Sequence, residues 1–199
     1  MPTWKEITAN NPSHSENYAR RWRNLVAEGE DIYGEARLID AMAPRGARIL
    51  DAGCGTGRIG GYLSERGHDV LGTDLDPVLI GYAKQDYPKA RWVVGDLSTD
   101  PIPEDNFDLI VSAGNVMGFL AEEGRQPALE NLHRALAPHG RAVIGFGAGR
   151  GWDFGNFLAT ARAAGFELEN AYESWELHPF VAESQFLVAV FTRNRQPAS

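Results

Sequence analysis

One cysteine, Cys54, occurs in 199 residues. An intrachain disulfide is therefore excluded, and the cytoplasm is the expected compartment. Lysine is nearly missing, found only at positions 5, 84 and 89, while arginine is plentiful; coding composition accounts for this, and no function follows from it. The five histidines, at 14, 68, 133, 139 and 178, share no spacing with each other or with carboxylates that would assemble ligands, so no metal is expected. No uninterrupted apolar stretch is long enough to cross a bilayer, and the opening MPTWKEITAN lacks a basic segment followed by an apolar one, so no membrane partner is expected. An excess of positive charge is also absent: 19 basic residues against 27 acidic ones give a net charge of −8 and a pI near 5.1. That balance argues against a broad grip on nucleic acid and favours small molecules as partners. No internal repeat and no long polar linker divides the chain.

What remains is a composition that is 43% hydrophobic, enough to bury one full core. A single domain over 1–199 is expected, with an N-terminal helical segment at 1–45, a sheet core at 46–192 and a polar tail at 193–199. After residue 46 short apolar runs alternate with helical patterns, the signal for a mostly parallel sheet covered on both faces. Strands are expected near 47–52, 69–74, 91–95, 107–113, 141–146, 166–173 and 185–192, the last carrying the continuous run FLVAVF. Helices are expected near 57–66, 76–86, 124–137 and 153–164, with Pro138 and Gly140 stopping the third, and an extra helix from Ser15 to Glu28.

The most informative run is ILDAGCGTGR at 49–58: an apolar strand ending in Asp51, then Gly53, Gly55 and Gly57 opening a helix. Glycines fit where a backbone turns sharply against a ligand, and the helix aims unpaired N–H groups at it. Cys54 lies inside this loop, where a small side chain is needed. Three readings compete. Gly55, Gly57 and Gly60 spell G-x-G-x-x-G with Asp74 following 17 positions after Gly57 (74 − 57), which suits a dinucleotide. Alternatively, the glycines only make a tight turn. The third reading gives weight to Asp51, whose carboxylate would repel a pyrophosphate but suits a cofactor bearing an ammonium group.

With these ten residues the chain resembles the S-adenosylmethionine (SAM)-dependent methyltransferases of the Rossmann-like class, over about residues 30–192. The resemblance implies a three-layer αβα fold with a seven-stranded sheet ordered 3-2-1-4-5-7-6, strand seven antiparallel. It implies SAM as cofactor, S-adenosylhomocysteine as product, and transfer of a methyl group to a small or medium-sized acceptor. A non-catalytic SAM-binding module and, more remotely, an NAD-dependent oxidoreductase are the alternatives. By the same resemblance Asp51 and Gly53 hold the methionine ammonium, and Asp74 the ribose hydroxyls, unless Asp74 only caps the following helix as Asp76 does. Asp96 and Leu97 meet the adenine beside Leu75, unless G-D-L is an ordinary turn; Ala113, Gly114 and Asn115 lie along the methionine. Tyr18 is a lid over the methionine carboxylate or a packing residue of its helix.

No motif for a particular acceptor is visible. Topology places the loops after strands five and six on the cofactor side, so Arg150, Trp152, Trp175 and Phe180 are candidate acceptor contacts, or else bury those loops against the domain. His178 is the candidate general base, with His14 as the other histidine able to reach an acceptor. Oligomeric state is left open by the sequence.

Overall fold

The computed structural model describes residues 2–193. Three helices come first: α1 (Trp4–Asn10), α2 (His14–Ala27) and α3 (Gly34–Met42). The sheet then alternates with helices: β1 (Arg48–Ala52), α4 (Arg58–Glu65), β2 (Asp69–Asp74), α5 (Pro77–Asp86), β3 (Arg91–Val94), β4 (Phe107–Ser112), α6 (Val116–Phe119), α7 (Arg125–Ala135), β5 (Leu136–Gly147), α8 (Phe154–Ala163), β6 (Phe166–Tyr172) and β7 (Phe186–Arg193). The strand order is β3-β2-β1-β4-β5-β7-β6. β1 to β5 run parallel, and β7 enters antiparallel between β5 and β6.

Side chains alternate across each strand, so the strands supply two cores at once. Ile49, Val70, Leu109, Val111, Val143 and Val190 face one side, against Ile39 of α3, Leu63 of α4 and Ile80 of α5. Leu50, Leu71, Ile110, Ile144, Phe146 and Phe191 face the other, against Leu129 and Leu132 of α7 and Phe157 of α8. Local chemistry fixes the helix starts: Asp76 accepts from the Val78 and Leu79 amides with Pro77 in the first helical position, and Asp153 accepts from the Asn156 amide.

Three departures from the sequence reading have physical causes. The helix expected to run to residue 137 ends at Ala135, because Leu136 is already extended and pairs with Phe107 of β4. The pairing then jumps to Leu109 opposite Arg141, and Pro138 falls in the bulge, where its missing N–H costs no ladder bond. Two short elements had no helix of their own in the sequence reading: α1, within the expected helical segment at 1–45, and α6. Arg193, assigned to the tail, closes β7, while 194–199, expected to fray, lie outside the described residues. Among the described residues no helix is long and apolar enough to cross a membrane.

Candidate functional site

Parallel strands deliver their carboxyl ends to one edge of the sheet, and a cleft of 310 Å³ opens there. Gly53, Gly55, Asp74, Leu75, Asp96, Leu97, Ala113, Gly114 and Asn115 line its floor, at the ends of β1, β2, β3 and β4. A small cavity next to it reaches Asp51 and Cys54 and shares Tyr18, Gly53, Ala113 and Gly114 with the cleft.

The glycine turn is held in place from below. The Gly53 and Cys54 amides donate to the Thr73 carbonyl at 2.8 and 3.0 Å, and the Gly55 amide donates to Asp74 Oδ2 at 2.9 Å. Gly53 has φ +78, and a Cβ there would stand 2.4 Å from Val116 Cγ2, so only glycine lets this turn meet α6. Gly57 has a different position from the one its place in the motif suggests. It packs beneath the turn, where a Cβ would collide with Trp92 and Ala83, and it does not line the cleft.

Each acid has its own surroundings. Asp51 is 2% exposed, with Oδ2 accepting from the Gly60 amide at 2.8 Å and no ion pair among the described residues. Burial pushes its carboxyl up to about 7. A buried acid that titrates there and opens on a cavity suits a cationic ligand group, which would hold it ionised. Asp74 is likewise raised by burial, to about 6; its oxygens accept from the Gly55 and Asp76 amides, which leaves each with a further lone pair. Asp96 is held below the usual carboxylate range, despite partial burial, by the hydrogen bond and charge of Lys5 and by hydrogen bonds from Ser98. Lys5 Nζ stands 2.6 Å from its Oδ2.

The walls come from the N-terminal helices and two loops. Trp4, His14, Tyr18 and Arg21 line one side; Val116, Phe119, Leu120 and Arg150 line another. Trp4 Nε1 donates to Asp76 Oδ2 at 2.8 Å, and its ring meets His14, Tyr18 and Phe119 edge-on at 4.9, 5.6 and 5.5 Å. Sequence reasoning missed Trp4, Lys5, Arg21, Val116, Phe119 and Leu120. For the first two a signal existed: Thr3 and Glu6 form a capping box that marks a helix start directly before Trp4.

Four residues expected at an acceptor pocket do not line this cleft. Trp152 is 4% exposed and packs on Phe157. Trp175 lies over Gly145 of β5, and Phe180 packs against Phe154. Each of these rings found an apolar face of the sheet or of α8. His178 is exposed in the β6–β7 connection, its carbonyl accepting from the Glu173 amide, away from the cleft that His14 does line.

A sheet in this order, with its antiparallel insertion, a glycine turn after β1 and acids at the ends of the first three strands, defines the class of Rossmann-like SAM-dependent methyltransferases. A family model described as a methyltransferase domain matches residues 49–140. An uncharacterized methyltransferase of Synechocystis sp. is 30% identical over 77% of this chain and 72% of its own length. A demethylmenaquinone methyltransferase of Thermus thermophilus is 32% identical over 60% of this chain, which spans 56% of that relative. A crystal structure of a TehB-like SAM-dependent methyltransferase from Corynebacterium glutamicum is 78% identical, with a TM-score of 0.90 over 92% of this chain and 100% of that one. The chain belongs to this methyltransferase family, is an enzyme and uses SAM as its methyl donor.

Proposed function

We propose that the protein methylates a small or medium-sized organic molecule held at the mouth of the cleft. The observation that carries this is the composition of the walls: apolar and aromatic side chains above a polar, glycine-lined floor, in a cleft of molecular size on a strongly acidic protein. The Thermus relative supports the reading, since the acceptor in its name is also a small organic molecule.

Asp51, in the adjoining small cavity, with the Gly53 backbone is assigned to the methionine ammonium, and Asp74 in the floor to the ribose hydroxyls. Asp96, Leu75 and the Leu97 amide are assigned to the adenine. Ala113, Gly114 and Asn115 border the methionine, and Tyr18 covers it with Cys54 beneath. When bound, SAM supplies an electrophilic methyl on a sulfonium, which leaves its electron pair on sulfur as the acceptor's lone pair forms the new bond. For such an in-line displacement the protein must align the partners and exclude water, and the walls formed by Trp4, Tyr18 and Phe119 do both.

Calorimetry with S-adenosylhomocysteine tests the floor. Asp74→Ala should weaken binding by about 2 kcal/mol, more than tenfold. Incubation of a bacterial extract with SAM labelled in the methyl group tests the acceptor: label is expected in small molecules, and label confined to protein or nucleic acid would refute the assignment.

A further inference from the structure

The cleft contains two arginines with no hydrogen bond or ion pair among the described residues, Arg21 and Arg150. The methyl donor brings a single carboxylate. Arg21 follows Tyr18 by three residues on α2, hence on the same helix face, and the Tyr18 ring lies over the glycine turn, 3.5 Å from where a Gly55 Cβ would stand. Arg21 is therefore beside the methionine end, where that one carboxylate is accommodated. Arg150 follows β5, beyond β4 in the strand row, and has no anion left to meet.

Arg150 is also presented by a turn that is fastened on both sides of it. Before it, the Gly147 amide donates to Asn115 Oδ1 at 2.8 Å and the Ala148 amide to the Gln185 carbonyl at 2.8 Å. After it, Arg125 Nη2 donates to the Gly151 carbonyl at 2.6 Å, the Arg125 guanidinium stacks over Trp152 at 4.9 Å, and buried Trp152 anchors the turn in the core. Beneath it, Gly118 lacks the Cβ that would stand 2.6 Å from Arg150 Cβ and 3.0 Å from the Arg150 carbonyl oxygen. Arg150 itself is exposed at the rim of the cleft, and this fastening fixes the turn that carries it there. Val116, Phe119, Leu120 and Trp4 complete the surrounding wall with apolar surface.

We infer that Arg150 is the receptor for an anionic group on the methyl acceptor, and that the acceptor is an organic carboxylate with an apolar or aromatic body. This rests on the small-molecule reading of the same cleft. A guanidinium pairs with a carboxylate through two parallel N–H···O bonds, which fixes orientation as well as affinity. One guanidinium balances a monoanion, which favours a carboxylate over a phosphate dianion. The turn places this charge beside the apolar wall, so the body of the acceptor lies against Phe119 and Trp4 while its carboxylate is held at the rim.

The test divides a bacterial small-molecule extract on an anion exchanger and incubates the retained and unretained pools separately with methyl-labelled SAM and the full-length protein. Label is expected from the retained pool, and acceptor capacity should survive phosphatase treatment of that pool. Arg150→Gln should lower incorporation tenfold or more through a raised acceptor KM, with S-adenosylhomocysteine affinity unchanged within twofold. Arg150→Lys should recover part of the loss. Label from the unretained pool, from neither pool, or from Arg150→Gln at the full rate overturns the inference, and so does loss of acceptor capacity after phosphatase. Failure to bind S-adenosylhomocysteine would instead count against the reading of the floor.

Discussion

Asp51 is the residue on which affinity and stability meet. Its carboxyl has been moved from the ordinary range to about 7 by burial, so in the empty protein it binds a proton that the unfolded chain would already have lost. The native state therefore gains from Asp51 at low pH and loses that gain as pH rises through 7. The melting temperature of the empty protein should fall from about pH 4 to about pH 7 and level off above it, and that of Asp51→Asn should fall less. Binding has the opposite trend, because the ammonium of the ligand needs the ionised acid. Calorimetric affinity for S-adenosylhomocysteine should strengthen with rising pH up to about 7, and Asp51→Asn should remove the part of that dependence nearest 7, leaving that of Asp74, together with at least tenfold of the affinity. Gly53 offers a steric counterpart. A methyl group at that left-handed position collides with Val116, so Gly53→Ala should cost about 1–3 kcal/mol of stability, read as a lowered melting temperature.

Among the elements, α1 stands apart because none of its residues is buried and its hold on the body is concentrated in two of them, Trp4, through Asp76 and the rings of His14, Tyr18 and Phe119, and Lys5, through Asp96. Trp4→Ala should thus lower the melting temperature and weaken S-adenosylhomocysteine binding, since it removes both the aromatic contacts and the hydrogen bond to Asp76. Amide exchange over Trp4–Asn10 should slow when that ligand is added to the native protein; equal exchange with and without it would separate α1 from the site. The same weakness explains why this helix was hard to read. Seven residues with no apolar stripe give periodicity nothing to detect, whereas the Thr3–Glu6 box carried the information locally. α6 is shorter still. By contrast, the acids at 51, 74 and 96 were legible because each lies at the carboxyl end of a strand, and parallel strands carry whatever ends them to the same edge. Trp152, Trp175 and Phe180 stayed open between pocket and core for the converse reason. An aromatic ring in a loop fits a ligand wall and a core equally well, and only the tertiary neighbours, Phe157, Gly145 and Phe154, distinguish them.

At the scale of the whole molecule, two cores share one sheet, so a defect in either is felt by both. Phe107 is fully buried where β4 meets the start of β5, and Phe107→Ala should cost about 3–5 kcal/mol, seen as a large drop in the denaturation midpoint. The sheet order followed from the resemblance and agrees with the structure, since buried strands appear as plain apolar runs; the bulge after Leu136 did not, because the pattern of Leu129, Leu132 and Leu136 continues a helical spacing into a residue that is in fact a strand. The insertion of β7 has a further consequence, for the order of events during synthesis. β6 leaves the ribosome before β7 and yet has no other neighbour in the sheet, while β5 waits with one side unpaired. Until residues 186–193 emerge, the nascent chain exposes one apolar strand edge and carries a second strand with nowhere to dock. Closure of the sheet is therefore a late, long-range step, and premature termination anywhere before β7 would yield a chain prone to aggregate rather than a smaller working enzyme.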